Sequence, residues 1–370
     1  MATTRVRAGG GGTRRSRSTE ATRARAVRIV ALVAALVLLV VAVVVIVQAQ
    51  QTAPCDNVHF RSSAGPVNPS SQPPPIGSNG IVRDLRQFFQ GGSAAVFCND
   101  FPDPFVLRNG SSYYAYATDT AGYNIPVLAT HGLFGSGGRR EALPSLPAWA
   151  EPGWTWAPSV LPRGQTFVLY YAARPRGLNR ECLSIAVASN PLGPFVDGSS
   201  GPAVCPPGGA IDPSPVVTPS GQAFLVWKND DAIVSQPLAP DGRSLVGSPS
   251  RLLVADQPWE GGVVEGPSMV FAGGRYYLFY SANQWSSANY AIGYAVCGSP
   301  SGPCAKQPGP WLASGDNVEG PGGPEFFTDT TGQLWMTLHA WVHHRVGYPQ
   351  GARDLFVLKI GFVNGVPVPT

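Results

Sequence analysis

The sequence predicts an all-β fold built from five repeats of short antiparallel strands. A Gly-containing turn followed by an aromatic-rich strand recurs at Gly110, Gly164, Gly221, Gly274 and Gly332, at intervals of 54, 57, 53 and 58 residues. The 44 Gly and 37 Pro residues suit a turn-rich protein, and 10% aromatic residues suit pleated surfaces. Repeats of about this length, built from short strands, are typical of propeller blades. Residues 98–370 are long enough for five such units, which predicts a five-bladed β-propeller.

Three segments precede the predicted propeller. Residues 1–28 contain eight Arg and one acid, and their lack of an apolar pattern predicts a disordered cytoplasmic tail. Residues 29–48 contain an unbroken run of 19 apolar residues, Ile29–Val47, which is long enough for a transmembrane signal anchor. Residues 49–97 form a linker and lead-in segment that includes the Pro/Ser-rich stretch SSAGPVNPSSQPPPIGSNG.

The charges beside the apolar run predict its orientation. Arg23, Arg25 and Arg28 lie immediately before the run, and positive residues favour the cytoplasmic side of a membrane. We therefore expect a single-pass cell-membrane protein whose folded domain is extracytoplasmic. A cleaved secretory signal is the alternative, with Ala49 as a small residue near the cleavage point, and the domain would then be secreted.

The six cysteines agree with an exported domain, where disulfides form and persist. Of the fifteen possible pairings, we favour the local set Cys55–Cys98, Cys182–Cys205 and Cys297–Cys304, because each closes a short excursion of the chain. Free buried thiols are the alternative.

The charge balance and the motifs exclude several classes of function. Positions 29–370 hold 18 of the 26 Lys+Arg residues and 21 of the 22 Asp+Glu residues, so the body of the chain is mildly acidic. Without a basic stripe, nucleic acid is not an expected partner. The sequence has no HExxH zinc motif, no GxSxG nucleophile elbow and no Gly-rich phosphate loop. We expect a monomer.

Acidic residues precede the apolar strand in three different repeats. They occur as Asp103-Pro104, Asp212-Pro213 and Glu265-Gly266-Pro267. Because the innermost strands of a propeller surround one axis, we expect these acids to occupy corresponding places and to converge on one funnel. Two carboxyls flanking a glycosidic bond are the minimal apparatus for glycoside hydrolysis, and crowding of like charges favours one protonated member. For each Asp-Pro taken singly, an ordinary strand entry is the alternative.

Four segments in order resemble the blade motifs of glycoside hydrolase family 43. They are DPFVLRNGSSYYAYAT, WAPSVLPRGQTFVLYY, IDPSPVVTPSGQAFLVWK and VEGPSMVFAGGRYYLFYSA. The resemblance covers about residues 98–370 and implies a five-bladed propeller with arabinofuranosidase, arabinanase or β-xylosidase activity. It also implies inversion of configuration, with Asp103 as general base, Glu265 as general acid, and Asp212 tuning and orienting that acid. The expected substrate is a polysaccharide or oligosaccharide, with arabinan favoured.

Other residues are candidates for the site on the same resemblance. Trp156 resembles an aromatic residue that packs against the bound sugar, and Arg353 resembles a late Arg that reaches the acid or the substrate. His339 resembles an axial His placed beside a central metal ion, usually calcium, or beside water. A blade-core Trp, a surface Arg and a core His are the respective alternatives. We also expect Asn124 to bind substrate. The chemistry itself requires no cofactor.

The fifth repeat departs from the family pattern. Family members often have Gly-Pro-Gly-His there, whereas this chain has Gly322-Gly323-Pro324-Glu325, which puts any metal arrangement in doubt. Glu325 is expected either to take over a hydrogen-bonding role or to be an extra acid on the rim. Two rival functions are a non-catalytic sugar-binding propeller and a retaining fructan or sucrose hydrolase. The retaining class should show Asn-Asp-Pro-Asn-Gly in the first blade and Glu-Cys in place of Glu265-Gly266, and this sequence has neither motif at those places.

Overall fold

The computed structural model describes residues 59–62, 94–131 and 138–370. In these ranges the backbone forms β-strands and no α-helix, with one 3-10 turn at Pro258–Glu260, which confirms the all-β prediction. No helix in this described part is long and apolar enough to cross a membrane. The predicted tail, the apolar run Ile29–Val47 and most of the linker lie outside the described residues.

The strands follow the chain as five antiparallel meanders, which we call blades one to five. Before them come β1 (His59–Ser62) and β2 (Ala94–Phe97). Blade one has β3 (Phe105–Asn109), β4 (Ser112–Tyr116), β5 (Pro126–His131) and β6 (Arg140–Glu141). Blade two has β7 (Ala150–Arg163), β8 (Thr166–Pro175) and β9 (Cys182–Ala188). Blade three has β10 (Ala210–Val217), β11 (Ala223–Asn229), β12 (Ala232–Pro237) and β13 (Ser250–Val254).

The last two blades are joined into one larger sheet. Blade four has β14 (Val264–Ala272), β15 (Arg275–Ala282), β16 (Ala291–Cys297) and β17 (Cys304–Lys306). Next comes the linking strand β18 (Leu312–Asp316), which pairs with β1, β16 and β19. Blade five has β19 (Val318–Thr328), β20 (Leu334–Val342), β21 (Asp354–Val363) and β22 (Val366–Pro369). Strand β2 pairs with β21, so chain from before residue 98 completes the fifth blade.

The first strands of the five blades form a closed ring, which makes the fold propeller-like. β3 contacts β7, β7 contacts β10, β10 contacts β14, β14 contacts β19, and β19 contacts β3. A buried apolar cluster lies between each pair of neighbouring blades. The cluster that closes the ring between blades five and one includes Tyr113, Phe327 and Trp335. Because each such aromatic removes a large apolar area from water, these contacts hold the blades side by side.

The predicted glycine turns connect the first and second strands of all five blades. Gly110, Gly164, Gly221, Gly274 and Gly332 each have a positive φ, between 59° and 87°. A residue with a Cβ is disfavoured in this backbone region, so Gly at a regular interval marks the five hairpins.

Two of the three predicted disulfides lie within the described residues and are present. Cys182 pairs with Cys205, and Cys297 pairs with Cys304. Cys98 is also disulfide-bonded. Its predicted partner, Cys55, lies outside the described residues.

Candidate active site

In or just before the first strand of every blade, a residue with left-handed backbone conformation precedes a Pro. We call this dipeptide the X-Pro step, where X is the left-handed residue. The five X residues are Asp103, Ala157, Asp212, Gly266 and Gly323, each with φ between 45° and 60°. In blades two to five the pairing register of the first strand shifts across this step, as at a β-bulge. Bulges of this kind turn side chains out of the ladder, so the step aims residues from all five blades at one end of the ring.

The repeated step corrects one sequence expectation. Asp103 and Asp212 occupy equivalent X positions, but in blade four this position holds Gly266. Glu265 lies one residue earlier and is the structural equivalent of Trp156 in blade two. Glu265 still faces the same end of the ring as Asp103 and Asp212, because the bulge turns two successive residues toward that end rather than one.

A cavity of about 580 Å³ lies at this end of the ring. Five of the predicted site residues line it, namely Asp103, Asp212, Glu265, Trp156 and Arg353. Several other lining residues were not predicted from the sequence, among them Asp119, Trp154, Trp285, Tyr290 and Tyr348. The cavity therefore combines carboxylates with aromatic walls, a composition suited to binding a sugar through hydroxyls and ring faces.

Asp103 is held rigidly and in its ionised form. Its backbone N–H donates to His339 Nδ1 at 3.0 Å, and its Oδ2 accepts from Thr118 Oγ1 at 2.6 Å. Arg353 Nη1 lies 3.4 Å from Asp103 Oδ1. Burial alone would raise the pKa of Asp103, but the Arg353 guanidinium first, and then the Thr118 hydrogen bond, outweigh it and hold the pKa below its usual value. Such a carboxylate can accept a proton from water.

Asp212 has the opposite electrostatic environment. Burial first, then the neighbouring charges of Glu265 and Asp103, raise its pKa to about 7. The Gly266 backbone N–H donates to Asp212 Oδ2 at 2.8 Å, which limits the rise. Near neutral pH, Asp212 is therefore protonated part of the time, and the carboxylate cluster holds a proton rather than being fully ionised.

Both oxygens of Glu265 have donors. Tyr290 Oη donates to Oε1 at 2.9 Å, and Lys228 Nζ donates to Oε2 at 2.9 Å. Tyr290 can approach only because Gly322 has no side chain, since a Cβ at that position would overlap the Tyr290 ring. We expected only Asp212 to control this acid, whereas the structure adds a cation and a phenol.

The aromatic residues form two opposed groups. Trp156 lies 5.6 Å from Trp154, between ring centroids, and the Arg174 guanidinium covers the Trp154 ring. In the second group, the Arg353 guanidinium lies 4.8 Å from the centroid of Trp285 and 3.3 Å, by its Nε, from Tyr348 Oη. Arg353 is buried, so it is not a surface residue.

The structure does not bring Asn124 to the cavity. Its side-chain amide donates to the Leu143 carbonyl oxygen at 2.8 Å, and its backbone N–H donates to Glu141 Oε2 at 2.6 Å. Its own carbonyl accepts from Thr155 Oγ1 at 2.6 Å. Asn124 is not among the residues that line the cavity, and these contacts instead fix the loop between β4 and β5.

His339 is placed to orient Asp103 rather than to bind a metal ion. It is fully buried, and burial first, with Arg353, lowers its pKa to about 3, so the ring is neutral. Because Nδ1 accepts the Asp103 N–H, the proton of the neutral ring must be on Nε2, and neither nitrogen then has a lone pair for calcium. In the described ranges, no group of three or more His, Cys, Asp or Glu residues could hold a metal ion. These residues do not fit the expected calcium site.

Glu325 takes a hydrogen-bonding position among the inner strands. Its Oε2 accepts from Ser268 Oγ at 2.6 Å and from Ser214 Oγ at 3.1 Å, which ties blade five to blades four and three. Burial first raises its pKa to about 8, so it is mainly neutral at pH 7. Of the two roles considered for this residue, these contacts favour the hydrogen-bonding one.

Residues 94–367 match the family model described as glycosyl hydrolases family 43. The chain belongs to this family. It is therefore a glycosidase, a hydrolase of O-glycosyl compounds, and family 43 catalysis needs no cofactor.

The relatives of this chain differ in the sugar named for them. A probable arabinan endo-1,5-alpha-L-arabinosidase A from Aspergillus flavus is 26% identical over 305 residues, covering 75% of this chain and 92% of that protein. A protein from Xylanibacter ruminicola, named for beta-xylosidase activity, is 26% identical over 194 residues, or 50% of this chain. The match spans only 34% of that relative's length.

Solved structures show the same spread. A thermostable family-43 glycoside hydrolase is 27% identical with a TM-score of 0.64, and the match covers 73% of this chain and 93% of that one. An endo-1,4-beta-xylanase from Bacteroides thetaiotaomicron is 26% identical with a TM-score of 0.63, covering 73% and 94%. The comparisons thus show the family and the kind of bond cleaved, and they include proteins named for arabinan and for xylan or xylosides.

Proposed function

We propose that this five-bladed propeller hydrolyses arabinose-containing polysaccharide, as an α-arabinofuranosidase or arabinanase that inverts the anomeric centre. The observation that carries the proposal is the convergence of Asp103, Asp212 and Glu265 on one cavity, with Asp103 held ionised. Inverting hydrolysis requires one carboxylate to accept a proton and one carboxylic acid to donate a proton.

The proposed step assigns each acid one task. Asp103 takes a proton from a water molecule as the water oxygen bonds to the anomeric carbon. The bond from that carbon to the leaving oxygen breaks, and its electron pair stays on the oxygen. Glu265 protonates this oxygen, while Asp212 keeps a proton available to the pair. Trp156 and Arg353 are proposed to contact the sugar.

Arabinan is favoured as the substrate by the relative whose length the chain nearly spans. That relative is named as an arabinan endo-1,5-alpha-L-arabinosidase, and the match covers 92% of it. Xylan is the competing substrate, because a structural neighbour is named as an endo-1,4-beta-xylanase. Hydrolysis of arabinan, xylan and the matching aryl glycosides by the full-length chain separates the two.

The roles of the acids are tested with Asp103→Asn and Glu265→Gln. Each should lower kcat on the polysaccharide by about 10²-fold or more, since general acid and base catalysis contribute roughly 10²–10⁴-fold. An aryl glycoside with an activated leaving group should partly restore turnover by Glu265→Gln, because that leaving group needs little protonation. It should not restore turnover by Asp103→Asn.

Asp231→Asn is the matched control, because Asp231 is exposed, pairs with Arg251, and is not among the residues that line the cavity. It should behave as the wild type. NMR of the first-formed product reports stereochemistry, and a retained anomer would contradict the assignment of Asp103 as base. Sugar binding without any hydrolysis by the wild type would favour the binding-propeller alternative.

The proposed location is extracytoplasmic, with the apolar run Ile29–Val47 as a single-pass anchor and residues 49–97 as linker and lead-in. The disulfides Cys182–Cys205 and Cys297–Cys304 support export, since such bonds are rare in the cytosol. The same proposal assigns residues 98–370 to a monomeric catalytic domain and the Arg-rich residues 1–28 to a cytoplasmic tail.

A further inference from the structure

A lysine of blade three contacts the proposed acid of blade four. Lys228 lies on β11, opposite Ile211 of β10, so its backbone is next to the strand that carries Asp212. Its side chain crosses to β14, where Nζ donates to Glu265 Oε2 at 2.9 Å. The side chains of this pair are 21% and 13% exposed, so water screens their interaction less than it screens a surface ion pair.

Lys228 remains positively charged in this position. Burial opposes its charge, but Glu265, whenever it is ionised, and its hydrogen bond, followed by Asp212 and Asp230, outweigh burial and raise the pKa of Lys228. The amine is not among the groups that line the cavity. It therefore acts on the reaction through Glu265 rather than by touching the sugar.

The contact matters because Glu265 changes charge during the proposed step. Before the step the acid carries a proton, and after the leaving oxygen takes that proton the acid is a carboxylate. A cation and a phenol hydrogen bond at its two oxygens stabilise the carboxylate that forms as the proton leaves. Asp212 acts in the opposite direction, because its negative charge favours retention of the proton by the pair.

We infer that Lys228 is a positioning residue that makes Glu265 a stronger proton donor to poor leaving groups by stabilising the carboxylate formed in the transition state. This inference rests on the proposed role of Glu265. Lys306 provides a contrast within the same protein. It pairs with Glu260 at 2.6 Å beside the 3-10 turn, where the carboxylate is fully buried and is not part of the lining of the cavity that holds Glu265.

The test compares two leaving groups in the full-length protein. The substrates are α-1,5-arabinobiose, with a sugar leaving group, and 4-nitrophenyl arabinofuranoside, or the xylose pair if the substrate panel selects xylose. Lys228→Met should lower kcat on the disaccharide by about 10-fold or more, a part of the roughly 10²–10⁴-fold available from general acid catalysis. It should lower kcat on the aryl glycoside by less than about 3-fold, on the same reasoning.

The alkaline limb of the pH–kcat/KM profile gives an independent measurement. Lys228 faces Glu265, Asp212 and Asp230, and its charge lowers the pKa of Asp212. Without that charge the Asp212–Glu265 pair should hold its proton to higher pH, so the limb should move up in Lys228→Met. Lys228→Arg, which keeps the charge, should restore the profile and the disaccharide rate in large part.

Three controls keep the outcome decisive. Arg251→Met removes an exposed ion pair from the same blade and should change neither the leaving-group ratio nor the pH profile. Lys228→Gln, which keeps a donor without charge, replaces the methionine variant if that one does not fold. Wild-type turnover of both substrates tests the proposed function separately, and its absence would overturn that function and the role of Lys228 with it. Equal losses on both substrates, or a change in KM alone, would overturn the role of Lys228 while leaving the function intact.

Discussion

Replacing Glu325 by Gln should make the folded protein more stable at alkaline pH. Glu325 accepts hydrogen bonds from Ser214 and Ser268 at the inner strands, and these bonds need only an oxygen acceptor, which Gln retains. The carboxyl is mainly protonated in the folded chain because burial, opposed by the two serines, raises its pKa from 4.5 to about 8. Unfolding releases this constraint, so the unfolded chain loses the proton at lower pH.

The size of the effect follows from the difference between the two pKa values. The folded pKa is raised, so the stabilising contribution is fully present below about pH 4.5 and is lost as pH rises through about 8. A difference of about 3.5 units at about 1.36 kcal/mol per unit gives about 5 kcal/mol. Because Glu325 lines the cavity and is partly screened by solvent there, we expect about 2–5 kcal/mol.

Urea unfolding at pH 5 and pH 8.5 measures this contribution. The free energy of unfolding of the wild type should fall between the two values by about 2–5 kcal/mol more than that of Glu325→Gln. Asp329→Asn is the matched control in the same blade, because hydrogen bonds outweigh burial and lower the pKa of Asp329 to about 2. Asp329 is ionised throughout this window, so its variant should keep the wild-type pH slope.

An identical pH dependence for the wild type and Glu325→Gln would refute the argument. It would mean that the carboxyl is ionised in the folded protein near neutral pH and that its burial is compensated by other groups. Asp119, Asp212 and Asp354 also have raised pKa values, but they are present in both proteins and contribute to the pH slope of each.

Two further predictions concern the site and the location. Asp212→Asn removes a group whose pKa is about 7 and whose charge favours proton retention by Glu265, so the alkaline limb of the pH–kcat/KM profile should move to lower pH. A limb that stays in place would contradict the proposed role of Asp212. Alkaline carbonate extraction of membranes should leave the full-length chain in the pellet, whereas deletion of residues 29–48 should release it. Recovery of a processed chain in the medium would support the cleaved signal instead.

Most of the fold could be predicted from the repeat pattern, because each blade is formed mainly by residues that are close together in the sequence. Gly turns and aromatic strands are encoded within about 15 neighbouring residues, so their recurrence could be recognised without knowing which strands pair. Asp103 and Asp212 were likewise predictable, since each directly precedes a Pro at the start of an inner strand. Glu265 lines the same cavity as the two Asp residues, as predicted, although its position in the repeat is one residue earlier than theirs.

The environment of the acid could not be predicted from spacing. Lys228 reaches Glu265 from the second strand of another blade, and Tyr290 reaches it from a loop through the space left by Gly322. Both contacts depend on strand register and on the approach of separate blades. Asn124 also could not be placed from the sequence, because its side-chain amide donates to the carbonyl of Leu143, 19 residues away, and it does not line the cavity.

At the X-Pro steps, the residue that the proposed reaction needs differs from the residue that would best stabilise the left-handed backbone. Blades four and five use Gly at this step, whereas blades one and three keep Asp103 and Asp212 at positive φ. A residue with a Cβ costs roughly 1 kcal/mol more than Gly in this region. Selection for thermal tolerance alone would therefore favour glycine in blades one and three, and each such change would erase a carboxylate of the reaction centre.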